Sequence, residues 1–118
     1  ALASVAASRL FGASLSIDNE PSVGEGAWVS GSYFSTLGVQ PMMGRLIGPE
    51  DDRVPDGHDV VVISHSLWRD RFASRPDVVG KTMVVNGRTM EILGVLPETF
   101  TGATNGSRPL VYIPLTMR

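Results

Sequence analysis

Four β-branched residues follow one another at Val60-Val61-Val62-Ile63, with no polar position among them. A run with no polar face predicts a strand covered on both sides. Ser64 then stands where a helix cap belongs, ahead of a helix read to about Ala73. Leu67, Trp68, Arg71 and Phe72 fall on one side of that helix and Arg69 and Asp70 on the other, and Pro76 stops any continuation. In Thr82–Ile92 the apolar positions alternate on either side of Asn86-Gly87. Asn-Gly accepts the two positive φ angles of a tight hairpin turn, so Val85 should pair with Arg88 and Met83 with Met90. That register places Met83, Val85, Met90 and Ile92 on one face and Val84, Thr89 and Glu91 on the other.

The N-terminal third reads as strands over 2–8, 13–18 and 23–30, with a turn at Asn19-Glu20-Pro21-Ser22. In the third of these, Val23, Ala27 and Val29 share a face opposite Trp28. A short helix is expected over 32–37, with Ser32 as its cap, Gly38 as its left-handed end, and Tyr33, Phe34 and Leu37 as its buried stripe. Residues 49–59 and 101–109 read as loops, and Val111-Tyr112-Ile113 as a last strand closed by Pro114. Together these predict an α+β fold, a small mixed or antiparallel sheet with two short helices.

Composition narrows the function classes. The chain has 118 residues, enough to bury roughly 65% of its unfolded surface in one core. Its net charge is −2, with Lys81 as the sole lysine, so it presents no basic stripe for nucleic acid. Cysteine is absent, which excludes disulfides and thiolate metal sites. No stretch reaches the ~18 apolar residues of a membrane helix. The first residue is Ala1, and the opening segment lacks the basic start and long apolar core of a signal peptide, so a longer parent is expected.

Each pattern that suggests chemistry has a plainer reading. Gly80-Lys81-Thr82 matches the end of a phosphate-binding loop, but position 75 is Arg where glycine is needed and a hairpin follows where a helix should. Asp51, Asp52, Asp56, His58 and Asp59 cluster, yet a calcium loop built around Gly57 would put Val54 and Ile63 at ligand positions. His58 and His65 are the only histidines and lack zinc-ligand spacing. In Ser64-His65-Ser66 the neighbours point in different directions, no partner carboxylate is evident, and Ser64 is explained as a cap. Trp28, Trp68 and Phe72 could form an aromatic platform, but their spacing suits a core, Trp28 least clearly. Asn105-Gly106-Ser107 is a glycosylation tripeptide, meaningful only in a eukaryotic source. No catalytic, cofactor-binding or metal-binding residue is assigned, and no enzyme is expected.

One longer pattern remains. It runs Val29-Ser30-Gly31-Ser32-Tyr33-Phe34-Ser35-Thr36-Leu37-Gly38-Val39-Gln40-Pro41-Met42-Met43-Gly44-Arg45, then Val60–Ser64, Trp68 and Phe72. It continues through Asp77–Thr82, Asn86-Gly87, Ile92–Val95 and Leu96-Pro97. In this order and spacing the chain resembles the MacB-like periplasmic core domain of FtsX-like ABC-transporter permeases. Glu50-Asp51-Asp52 and the Trp68 helix lean towards the duplicated orphan permeases, which carry no ATPase of their own, while Tyr112 stands where the family often has Trp. The resemblance implies a two-lobed domain. Residues 1–29 would be strands of the larger lobe, 30–97 a small α/β lobe, and 98–118 a loop and strand returning to the larger lobe. It implies a non-catalytic domain of a membrane protein, outside the cytoplasm, that couples conformational change in the membrane to export or to a periplasmic partner. Its partners would be the remaining permease with its membrane helices, an ABC ATPase subunit and a periplasmic protein. The edge strands leave a homodimer open. The alternative is a stand-alone periplasmic module that binds a ligand or peptide.

Overall fold

The computed structural model describes residues 8–48, 59–100 and 108–114. Strand β1 (Ser8–Ile17) and strand β2 (Glu20–Val29) form an antiparallel hairpin in continuous register from Ser8↔Val29 to Ile17↔Glu20. The turn's central residues are Asp18 (φ 52°) and Asn19 (φ 67°), so the four-residue turn spans 17–20, two residues earlier than the expected turn at 19–22. Asp and Asn tolerate the left-handed region, which a two-residue hairpin turn needs twice. Pro21 therefore lies inside β2, where no bond to a further strand is needed, because the next pairing on that side begins only at Gly26. Where two strands were expected up to residue 18, the described part is one unbroken strand through Gly12.

Helix α1 (Tyr33–Leu37), strand β3 (Met43–Gly44), strand β4 (Val60–Ile63) and helix α2 (His65–Arg71) follow, then strands β5 (Thr82–Val85), β6 (Arg88–Val95) and β7 (Val111–Pro114). The hairpin register is the expected one, with Val85 opposite Arg88 and Met83 opposite Met90. Gly38 ends α1 with φ 71°, as expected, but the Ser32 hydroxyl makes no cap bond and Leu37 is 40% exposed. At α2 the Leu67 N–H donates to Ser64 Oγ at 3.1 Å, so that cap is real. The helix ends at Arg71, two residues early, because Ala73 (φ 53°) and Ser74 (φ 55°) turn left-handed.

The expected α+β class is overturned. Strand far outweighs helix among the described residues, and the strands run in the order β3-β6-β4-β7-β2-β1-β5 with β5 pairing back onto β6. Six strands thus close into a mixed, barrel-like sheet, with β3 attached to the far end of β6. Two features produce closure. The eight-residue β6 pairs with β5 over Arg88–Glu91 and with β3 at Gly94 and Val95 on one edge, and with β4 on the other. A bulge between Val61 and Val62 adds twist there. The long β1–β2 hairpin then bridges the remaining gap diagonally. β2 joins β7 in parallel from Gly26 to Val29, while β1 joins β5 only at Leu15 and Ser16.

The two faces of this sheet carry separate cores. Inside lie Leu15, Ile17, Val61, Ile63, Met83, Val85, Met90, Ile92, Val111 and Ile113, joined by Leu67 of α2 and by Phe72 just after it. Outside, Ala27, Val29, Val60, Val62, Leu93 and Tyr112 are covered by Tyr33 and Phe34 of α1 and by Ile47. Alternate residues of β4 enter each core, so the unbroken apolar run is indeed covered on both faces. Val23 shares the outward face with Ala27 and Val29 but is 84% exposed, since that cover does not reach it.

Candidate functional site

The residues singled out from the sequence are not brought together. At the phosphate-loop look-alike, the Gly80 N–H donates to the Ile92 carbonyl (2.9 Å) and the Lys81 N–H to the Val78 carbonyl (3.0 Å). These amides hold the start of β5 and are not free to cradle an anion. Lys81 pairs with Asp77 at 3.7 Å, and Asp77 with Arg75 at 3.1 Å. The hydrogen bond from Arg75 holds the Asp77 carboxyl below the usual aspartate range. Asp51, Asp52, Asp56 and His58 lie outside the described residues, as does Asn105-Gly106-Ser107. Asp59 is described and pairs with Arg88 Nε at 3.0 Å. Among the described residues no group of three or more metal-ligating side chains occurs.

Ser64, His65 and Ser66 line a depression with Arg69, Glu98, Phe100, Arg108 and Pro109. Ser64 is engaged as the cap and touches Ser66 Oγ at 3.2 Å. The His65 ring lies 5.3 Å from that of Trp68, and its buried Nδ1 has no partner among the described residues. Neither serine has the imidazole as base.

The aromatic residues divide. Phe72 is buried in the inner core, as expected. Trp68 is only half-buried; its indole N–H donates to the Arg75 carbonyl at 2.8 Å, so it fastens the turn after α2 as well as packing on the core. Trp28 points to the inner face and stacks on Phe11, with ring centres 4.6 Å apart and planes 17° apart. Phe11 escaped the sequence reading because residues 9–12 were assigned to no element. Its cross-strand partner is Gly26, a pairing visible only once the hairpin register is known.

This stack forms one wall of a concavity of about 350 Å³ at one end of the barrel interior. Val85, Met90 and Ile113 supply apolar lining, and Asn86, Gly87 and Arg88 complete the rim from the β5–β6 turn. It is larger than the depression beside His65, which holds about 190 Å³. No two of its side chains form an acid–base or nucleophile–base pair, so the arrangement suits binding over bond making.

Comparison with known proteins is consistent across sequence and structure. The family model described as MacB-like periplasmic core domain matches residues 2–118. The macrolide export ATP-binding/permease protein MacB of Aggregatibacter actinomycetemcomitans is 33% identical over 82 residues, 70% of this chain and 12% of its own length. The periplasmic region of MacB from Actinobacillus actinomycetemcomitans superposes with a TM-score of 0.74 at 22% identity, over 94% of this chain and 47% of that one. The extracellular domain of YknZ, a noncanonic ABC-type transporter from Gram-positive bacteria, gives 0.73 at 19% identity, over 98% of this chain and 56% of that one. The chain therefore spans about half of the solved domains it matches and a small part of the full-length relative.

Proposed function

Since the chain belongs to the family of MacB-like periplasmic core domains, we propose that it works as the non-catalytic coupling element of an ABC-transporter permease. The family places it outside the cytoplasm. Among the described residues no helix is long and apolar enough to cross a membrane. In this reading, movement of membrane helices is passed through the domain to an exported substrate or a periplasmic protein. An ABC ATPase subunit supplies the drive; a permease of the orphan arrangement carries no ATPase of its own. The β1–β2 hairpin and β7 share one closed sheet with β4, β5 and β6, so in this reading they form the smaller lobe together, seated on a larger one.

One observation carries this reading. Ser8 pairs with Val29, and Val29 pairs with Pro114, so the start of β1 and the end of β7 lie at the same end of the sheet. Two strand spacings separate them, roughly 10 Å. A unit whose two ends are neighbours can be seated on the rest of a larger domain and moved as one body by it.

The test uses the full-length parent in membranes. Residues 8–114 are replaced by a short Gly-Ser bridge, which the neighbouring ends permit. Export should stop while the protein still inserts and nucleotide hydrolysis by the transporter continues. Export at the parental rate would overturn the coupling role.

A further inference from the structure

The concavity beside Phe11 and Trp28 is built from parts that fit one kind of ligand. We propose that it binds a small amphipathic carboxylate. A flat apolar body would lie against the aromatic wall, and the carboxylate would meet the rim at Asn86 and Arg88. This inference is independent of the coupling role.

The wall is shaped by a specific absence. A Cβ at position 26 would lie 2.5 Å from the Phe11 ring, so only glycine lets that ring settle across β2 and stack on Trp28. The result is a planar surface at the edge of an otherwise filled interior. Val85, Met90 and Ile113 behind it are nearly fully buried and offer no polar atom. Planar apolar groups gain both area burial and stacking on such a surface.

The rim supplies donors. Trp28 carries an indole N–H that has no hydrogen-bond partner among the described residues. Asn86 Oδ1 already accepts from the Ser14 N–H at 2.7 Å, so the side chain has its NH₂ group to offer. Among the described lining residues Arg88 is the one that carries a charge, and Asp59 pairs with its guanidinium at Nε, 3.0 Å away. Three donors, one of them cationic, complement a carboxylate's two acceptor oxygens. The volume of about 350 Å³ falls in the ~300–1,000 Å³ range of small-molecule sites.

The experiment titrates 1-naphthoate into the ¹⁵N-labelled 118-residue chain, with 1-naphthalenemethanol as the uncharged control. Saturable shifts are expected at the Trp28 indole N–H and at the amides of Asn86, Gly87 and Arg88. Affinity should fall about fivefold or more for the alcohol and for Arg88→Gln, the worth of one charge-assisted hydrogen bond. The same spectra report whether that variant stays folded. No saturable shift, or shifts centred elsewhere, would overturn the site. Equal affinity for acid and alcohol would overturn the carboxylate assignment.

Discussion

Arg71 of α2 reaches back 51 residues to donate from Nη2 to the Glu20 carbonyl at 3.0 Å, and its Nη1 meets Ser22 Oγ beside it. One side chain thus ties the helix to the tip of the β1–β2 hairpin. Arg71→Ala should lower stability by about 1–2 kcal/mol, the range for hydrogen bonds to a charged group at a partly open site. Ser22→Ala should cost about half of that or less. Denaturant melts measure both. Hydrogen exchange should quicken at Asp18–Val23 in the arginine variant and remain unchanged in β4.

Asn86 does two jobs in closing the sheet. It takes φ 50° in the turn, and its Oδ1 and N–H bond to Ser14 on β1. Since β1 meets β5 at only two residue pairs, these bonds are a large part of that seam. Asn86→Gly keeps the turn conformation and loses the side-chain bond, at a cost of about 1 kcal/mol. Asn86→Ala also strains the turn and should cost about 1 kcal/mol more. Equal melts for the two variants would show that the side-chain bond alone matters.

Gly94 lies where β3 crosses close to β6. An added Cβ would sit 2.6 Å from the Met43 carbonyl oxygen, collide with that of Arg45, and come 2.9 Å from the Arg45 nitrogen. Backbone cannot give way as a flexible side chain does. Gly94→Ala should therefore detach β3 and cost about 2–3 kcal/mol, near the upper range for overpacking. Loss of exchange protection at Met42 and Arg45, whose N–H groups bond to Val95 and Leu93, is the local readout.

Tyr112 is buried in the outer core, and burial, with smaller contributions from Tyr33 and Glu25, pushes its hydroxyl above the ordinary tyrosine range. A raised folded-state value means that the native protein holds this proton more tightly than the unfolded chain. The stabilisation is complete below about pH 10, the unfolded value, and is lost as pH rises beyond it. Tyr112→Phe should flatten the alkaline fall of the melting temperature while leaving the neutral value nearly unchanged. Parallel alkaline limbs for parent and variant would contradict this.

Phe72 and Trp68 differ in burial, so their variants should differ too. Phe72→Ala should destabilise by about 3–4 kcal/mol through lost burial and the cavity left behind. Trp68→Phe keeps most of the packing and loses the bond to the Arg75 carbonyl, about 1 kcal/mol. Denaturant midpoints that rank the two the other way would reverse the burial assignment.

Much of what depends on near neighbours could be read beforehand, although the Ser32 cap and the turn at 19–22 were not met. The Val60–Ile63 run, the Ser64 cap and the Asn86-Gly87 register are local patterns, and each stands as expected. Closure of the sheet is not local. It rests on Leu15 meeting Val85 and on Gly26 meeting Val111, and the alternation of apolar residues says which face is buried without saying which strand lies alongside. The same limit hid the binding slot. Asn86 was legible as a turn residue, but Phe11, Gly26 and Trp28 acquire a shared role only when the hairpin register sets them side by side. Arg71 was placed on the correct face of its helix, while its target on the hairpin lies beyond any helical period.

The pairing of Ser8 with Val29, and of Val29 with Pro114, also decides how the domain yields to force. Spreading Ser8 and Pro114 sideways loads the hydrogen bonds one pair at a time, as in opening a zipper, and Val29 is the first to give. A pull between the Asp18–Asn19 tip and Pro114 loads the strands along their length, so many bonds must fail together. The fold is therefore compliant to separation at its base and stiff to traction at its tip.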